Sequence, residues 1–440
     1  MKNLLQKILK ILSQGVLKKY KPDVIGITGS VGKTSTKEAI YTVLKKQFNV
    51  RRSVKNYNNE IGAPLTILGC QSGGKNFFKW LVIFLKGLGL ILFRDKKYPR
   101  ILVLEMAADR PGDIKYLTDL APCKIGVITS AAEVHLEFFK SLENIIKEKQ
   151  TLVTHLKDTD WAVLNADEEN VLTMKEKTKA RILTFGFSEG VDAKAVGMEM
   201  DQMSNVKYQM SGINFKLVYQ GKIVPIFLPN VLGEQQIYAA LAGVSVGIIY
   251  EMNLVEISEA LKNYQSPPGR TKLISGIKHT LIIDDTYNAS PKSAKAALNL
   301  LKQLKVSSSS SLPKAFGTPR SGKKWAVLGD MMELGAYTEQ GHQEVGEYAV
   351  QTGVDVIVTV GEKARDIIQG ARKVGFSEDR LFNFAGAEAA GKFIQEKLRE
   401  GDLLLIKGSQ AMRMERIVKE LMAEPLKAGE LLVRQEWRDS

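Results

Sequence analysis

Val24-Ile25-Gly26-Ile27-Thr28-Gly29-Ser30-Val31-Gly32-Lys33-Thr34 is the stretch on which the reading of this 440-residue chain turns. Its first five residues have the length and β-branching of a buried strand. From Lys33 to Gln47 the pattern changes to that of a helix, with Ala39, Ile40, Val43 and Leu44 at helical spacing. A strand, a glycine-rich turn and a helix opening on Lys-Thr make a phosphate cradle. Gly29, Ser30, Val31 and Gly32 would wrap the anion, the two glycines letting the backbone come close to its oxygens. The free N–H groups and positive end of the helix face it. Lys33 would reach the β- and γ-phosphates of ATP, and the Thr34 hydroxyl would ligate Mg²⁺. Ile27 stands where the full eight-residue pattern has its first glycine, so this is a shortened form.

Composition sets the bounds. The length allows two or three domains, and 44% hydrophobic with 25% charged residues is ordinary for a soluble globular protein. Cys70 and Cys123 are too few for a disulfide framework or a four-cysteine zinc site, which fits a reducing cytoplasm. The net charge of +14 suits an anionic partner. No aromatic-basic nucleic-acid module stands out, so a nucleotide, a phosphorylated precursor or a membrane surface ranks first.

Residues 1–22 read as a basic amphipathic helix without the apolar core or cleavage site of a signal peptide. Such a helix either lies on a membrane or packs onto the next domain. Phe77 to Phe93 is an apolar insert carrying Lys79, Trp80 and Lys86. It is short of the ~20 residues of a spanning helix. Insertion in the membrane interface and burial against protein both stay open for it.

Between these, Lys55-Asn56-Tyr57-Asn58-Asn59-Glu60-Ile61-Gly62-Ala63-Pro64-Leu65 has loop chemistry, as a surface turn or as a polar loop above the phosphate site. The strand Ile101–Met106 brings Glu105 to its C-terminal end, where open α/β sheets bind ligands. The strand Ile125–Thr129 leads to Glu133 and His135, and His135 following a strand end suggests a metal role. Ser141 to Leu156 is helical and carries Lys147 and Lys149. Gln265-Ser266-Pro267-Pro268-Gly269-Arg270 has linker composition and marks a domain boundary. Beyond it strands and helices alternate again, with a Ser-rich stretch, Val306–Lys323, expected as a mobile loop. The fold class is therefore α/β. Residues 23–265 form a central, P-loop-type ATPase domain on a mostly parallel sheet, and residues 266–440 a C-terminal Rossmann-like domain.

Six stretches, in this order over roughly residues 22 to 425, resemble the Mur ligase superfamily of ATP-dependent amide ligases. They are 28–34, 56–65, His135-Leu136-Glu137, Asp284-Asp285-Thr286-Tyr287-Asn288-Ala289-Ser290-Pro291, 329–335 and Lys407-Gly408-Ser409. The nearest likeness is to members that add D-alanyl-D-alanine to a muramyl tripeptide in peptidoglycan precursor synthesis. The resemblance implies that Lys33 holds phosphate and that Thr34, Glu105 and His135 serve the metal. Lys149 falls where the family often has a carbamylated lysine, with Lys147 the alternative should the alignment slip. Arg270, Asp285 and Asn288 resemble contacts to ATP, Asn58 and Asn59 substrate- or nucleotide-side contacts, and Asp330, Ser409 and Arg413 receivers of the amine. Lys33, His135 and Lys149 are the catalytic candidates. The implied route is an acyl phosphate intermediate, with closure of two domains about residues 265–270.

Only about 22 residues precede the phosphate loop, which suggests that the UDP-binding front domain usual in such ligases is missing. Two other readings therefore remain. One is a Mur-type ligase with a different or lipid-linked acceptor, working at the inner face of the membrane or with a partner that supplies acceptor recognition. The other is a non-catalytic nucleotide-binding relative.

Overall fold

The apolar run at Val24 becomes β1 (Asp23–Thr28), the strand at the heart of a nine-stranded sheet. In the computed structural model, which describes residues 2–53, 57–133, 136–201, 212–304 and 322–433, β1 runs parallel to both its neighbours. The remaining strands of this sheet are β2 (Val50–Arg52), β3 (Ile101–Glu105), β4 (Ile125–Ile128), β5 (Trp161–Asn165), β6 (Arg181–Gly186), β7 (Ala193–Asp201), β8 (Gly212–Tyr219) and β9 (Lys222–Pro229). Their order is β2-β3-β1-β4-β5-β6-β7-β8-β9. A strand covered on both faces reads as continuous apolar sequence, and Val24, Ile25 and Ile27 are all buried. Register then places the site. Ile27 pairs with Glu105 on one side, and Thr28 with Ile128 on the other. The phosphate loop, the Glu105 carboxylate and the segment after β4 therefore leave the sheet at one edge.

Four helices pack near this end of the chain: α1 (Lys2–Tyr20), α2 (Lys33–Leu44), α3 (Gly62–Leu68) and α4 (Phe77–Leu92). On α2 the residues Ile40, Val43 and Leu44 are fully buried, each stabilising the fold by up to about 1.5–3 kcal/mol. α4 begins where Asn76 accepts the Lys79 N–H. Its inner face buries Ile83, Gly87 and Leu90. α1 fastens it in place: Lys19 Nζ donates to the carbonyls of Leu90 (3.0 Å) and Ile91 (2.8 Å), and the Tyr20 hydroxyl donates to that of Phe93 (3.1 Å). Among the described residues no helix is long and apolar enough to cross a membrane.

The chain divides into two compact units. The first is Met1–Glu199, Asn214–Leu228 and Glu234–Gln265, and the second is Met200–Ile213, Pro229–Gly233 and Ser266–Ser440. The second is built on β10 (Lys272–Ser275), β11 (Leu281–Asp285), β12 (Lys324–Gly329), β13 (Val356–Val360), β14 (Leu381–Phe384) and β15 (Leu403–Lys407), ordered β10-β11-β15-β12-β13-β14. All but the antiparallel edge strand β10 run parallel. Side chains alternate between two cores, as the two-residue period of a strand requires. Ile283, Ala326, Ile357 and Leu405 enter one, while Ile282, Val327, Val358 and Leu404 enter the other. This is a doubly wound α/β sheet. The Ser-rich stretch Val306–Lys323, expected as a mobile loop, lies outside the described residues apart from its last two.

Candidate active site

The loop after β1 is shaped by what lies beside it. A Cβ on Gly29 would sit 2.0 Å from Thr129 Oγ1, and Gly32 has φ +88°. Only glycine suits the first for space and the second for backbone conformation. Residues 129–132 grip the loop. Ser30 Oγ donates to the Ala132 carbonyl (2.8 Å) and accepts its N–H (2.9 Å). Ser130 Oγ accepts the Val31 N–H at 2.8 Å, and Thr129 Oγ1 donates to the Val31 carbonyl. No side chain caps the start of α2 at Gly32, so its first N–H groups point into the cradle. Lys33 folds back over the loop, its Nζ donating to the Gly29 carbonyl at 2.6 Å.

Glu105 is the centre of the polar cluster and is almost wholly buried. Its carboxylate accepts the Thr34 hydroxyl at 3.1 and 3.2 Å and the Asn58 amide at 3.4 Å. Lys37, also buried, brings its ammonium within 3.6 Å. Lys37 lies one turn beyond Lys33 on α2, and sequence reasoning passed over it. The available signal was its spacing, i+4 from a phosphate-loop lysine. Asn58 also fixes the backbone, its carbonyl accepting the Ala107 N–H at 3.0 Å. Asn59 takes a different part. Its Oδ1 accepts the N–H groups of Ile61 and Gly62, forming the turn that starts α3.

Hydroxyl and carboxylate oxygens are the donors Mg²⁺ prefers, usually with one or two carboxylates and with phosphate and water completing the shell. Thr34 beside Glu105 fits that requirement. Among the described residues no three His, Cys, Asp or Glu side chains converge as a cage. His135, the other metal candidate, lies outside the described residues.

The Leu142–Thr154 helix gives the two lysines different surroundings. Lys147 is exposed and Lys149 is buried. Burial, aided by the nearby charge of Lys33 and opposed by Glu148 and Asp109, brings the Lys149 ammonium down to about 7. An amine neutral near physiological pH is a nucleophile able to take up CO₂. The neighbouring Glu148 accepts the N–H groups of Gly112 (2.8 Å) and Ile114 (2.7 Å), pinning the turn that carries Asp109.

The second unit gathers its candidates at the C-terminal ends of β11, β15 and β12, where open parallel sheets bind ligands. Asp285 ends β11 and forms a buried ion pair with Lys407, which ends β15 (2.6 Å). Lys407 also donates to the Asn288 carbonyl at 2.8 Å, tying two nucleotide candidates together. Arg270 lays its guanidinium 3.9 Å from the centre of the Tyr287 ring. Asp284 is fully buried, and burial raises its carboxyl to about 6 against the hydrogen bonds from Thr286 and Gly269.

The amine-side candidates share one loop pair. Ser409 donates its N–H to the Asp330 carbonyl, and its Oγ accepts the Met332 N–H. The Asp330 carboxylate turns inward to the Ala364 N–H (2.7 Å), which makes it a brace of the backbone. Arg413 pairs with Glu415 at 2.6 Å. His342, unnoticed in the sequence, supports this loop. Its Nε2 accepts the Met331 N–H at 2.9 Å while Nδ1 faces the Thr338 carbonyl. It must therefore be neutral, and burial lowers its pKa. A depressed pKa means that this stabilisation is complete above the unfolded value of about 6.5 and is lost as pH falls through the folded one. A His342→Asn variant is expected to lose part of the wild type's drop in thermal midpoint between about pH 7 and pH 5. Parallel pH profiles by calorimetry would refute the assignment.

Residues 27–78 and 87–247 match the Mur ligase middle domain, and residues 269–410 match the Mur ligase glutamate ligase domain. The UDP-N-acetylmuramoyl-tripeptide--D-alanyl-D-alanine ligase of Bacillus subtilis (strain 168) is 30% identical over 418 residues, covering 95% of this chain and 80% of that relative. Coverage of that extent gives no support to the expectation of a missing front domain. Among solved structures, MurF from Acinetobacter baumannii superposes with a TM-score of 0.73 at 26% identity, over 93% of this chain and 79% of its own. MurF ligase from Thermotoga maritima in complex with ADP does so with a TM-score of 0.72 at 26% identity, over 94% and 83%.

Proposed function

Because the chain belongs to the Mur ligase family, we propose that it is an ATP-dependent, ADP-forming ligase that joins D-alanyl-D-alanine to a UDP-N-acetylmuramoyl tripeptide in peptidoglycan precursor synthesis. The reading is carried by the Thr34–Glu105 pair beside the Gly29–Gly32 loop, in a chain 30% identical to a ligase of that name. ATP is the phosphoryl donor. A substrate carboxylate oxygen bonds to the γ-phosphorus as the bond to ADP breaks. The amine nitrogen then bonds to the acyl carbon, phosphate departs with the bonding pair, and the nitrogen gives up its proton.

In the first step the loop N–H groups and Lys33 face the charge that builds on the transferring phosphoryl group, a task of positioning and electrostatics. Thr34 and Glu105 would hold Mg²⁺, with His135 assigned to the same role. When bound, the ion would neutralise phosphate charge. Lys37 balances the buried Glu105 carboxylate and keeps it aimed at Thr34. Lys149, once carbamylated, would add an anion to the metal site where its ammonium would repel the ion. Asn58 steadies Glu105, and Asn59 shapes the loop toward the acceptor. In the second unit Arg270, Asp285 and Asn288 are assigned to the nucleotide. Ser409, whose N–H donates to the Asp330 carbonyl, and Arg413 are assigned to the amine.

The test is phosphate release from ATP and Mg²⁺ against a matrix of acceptors and amines. Release is expected to need both UDP-muramyl tripeptide and D-alanyl-D-alanine. Turnover only with another acceptor or amine would redirect the reading to a ligase of different specificity. Binding of ATP without turnover on any pair would overturn it.

A further inference from the structure

The outer face of α4 is the least expected surface of the molecule. Phe78, Leu81, Val82, Leu85, Leu88 and Leu92 all point outward, Phe78 being 74% exposed and Leu85 59%. At 3.6 residues per turn these side chains share one stripe, opposite the face that buries Ile83, Gly87 and Leu90. Scattered exposed apolar residues need no explanation, but a contiguous stripe of this kind marks an interaction surface. Its middle part, with Leu81, Val82 and Leu85, falls in the gap that the middle-domain match leaves at residues 79–86.

Charge says what the stripe meets. Lys79 lines one long edge of it, and Lys86 on the same edge donates its Nζ to the Gly69 carbonyl at 2.6 Å. Lys75 precedes it, and Arg94, Lys96 and Lys97 follow, against the single acid Asp95. The neighbouring α1 contributes five lysines and no acid. An apolar stripe fringed by cations complements a surface that is apolar within and anionic at its border. At 1.5 Å per residue the 16 residues of α4 reach about 24 Å, short of the ~30 Å hydrocarbon core. A helix of that length that met a bilayer would lie in the plane of its interface, without spanning it. Because α1 holds the inner face, the outer stripe can enter the lipid without unpacking the core.

We propose that the outer face of α4 docks this protein on a membrane surface rich in anionic phospholipid, with the stripe in the headgroup–acyl boundary and the flanking lysines among the phosphates. This goes beyond the ligase reading, and flotation requires no turnover, so either can fail alone. The test is flotation of the full chain with vesicles of equal phosphatidylglycerol and phosphatidylethanolamine, and with vesicles of phosphatidylcholine alone. The expected result is binding to the anionic vesicles, weaker by at least about tenfold on the neutral ones and reduced by salt. A Phe78→Ser, Leu85→Ser double variant should lose at least about tenfold in binding while keeping its thermal midpoint, because both side chains are exposed. A Lys75→Glu, Lys79→Glu variant should lose the preference for anionic lipid. Val255→Ser, at an exposed apolar residue elsewhere, should bind as the wild type does. Failure of the wild type to float with anionic vesicles would overturn the proposal, as would undiminished flotation of the serine variant. So would a dimer in sedimentation that those serines disperse without any lipid binding, which would give the face to a second copy of the chain.

Discussion

Replacing Lys33 by alanine is expected to lower the rate of ATP-dependent phosphate release by about a thousandfold and to leave the protein folded. The size follows from what the side chain has to lose. In the structure its Nζ makes an ordinary hydrogen bond to the Gly29 carbonyl, and removing it costs only about 0.5–1.5 kcal/mol of stability. On the proposed reading, the same ammonium would, with ATP bound, face the negative charge that spreads over the transferring phosphoryl oxygens. There the surroundings are preorganised and poorly solvated, and a full charge counts for several kcal/mol. Arginine at this position keeps the charge but brings a broad planar fork into a loop gripped by residues 129–132, and should recover less than about a tenth of the lost rate. The measurement is steady-state release in saturating ATP, with the thermal midpoint as the control. A Lys33→Ala enzyme within tenfold of wild type would remove Lys33 from the mechanism.

The second large effect belongs to Lys149. A Lys149→Ala variant is expected to lose at least about a hundredfold in turnover. Unlike Lys33→Ala, it should be partly restored by millimolar acetate or formate, because a small carboxylate can stand in for the missing carbamate anion. The wild-type protein should carry the added mass of one CO₂ when prepared at neutral to alkaline pH in bicarbonate. The direction with pH follows from the ammonium being brought down to about 7 by burial and by Lys33. Above that value the amine is free to react, and below it the amine is protonated and CO₂ uptake falls away. If intact mass shows no addition and no carboxylate rescues the variant, Lys149 acts as a plain cation.

Much of the first unit's site was legible because it is local in sequence. The strand, the two glycines and the Lys-Thr helix start are consecutive, and Glu105 closes an apolar run that reads as a strand. Lys149 came from the family resemblance with Lys147 left open, and the structure adds that Lys149 shares the buried face of its helix with Ile145 and Leu152. What sequence could not give were pairings made by the tertiary fold. Lys407 meets Asp285 across 122 residues, and nothing in either neighbourhood announces the other. His342 looks like any helical histidine until Met331 is found against its Nε2. Lys37 resembles a surface lysine of an amphipathic helix until Glu105 arrives from another strand. Asp330 and Asn59 show the converse. The family resemblance implied ligand contacts for them, and in the structure their side-chain oxygens accept from backbone N–H groups.

The grip of residues 129–132 on the phosphate loop bears on the thermodynamics of nucleotide capture. A free glycine-rich loop would have to surrender conformational entropy on meeting its anion, at roughly 1–2 kcal/mol for each residue ordered. Here Ser30 and Val31 are already held by Thr129, Ser130 and Ala132. That ordering happened when the strands assembled, and it is shared with the stability of the sheet. Breaking the grip, for instance at Ser130, would leave the chemistry of the cradle intact and still weaken its affinity, because the loop would then have to be organised anew in every binding event.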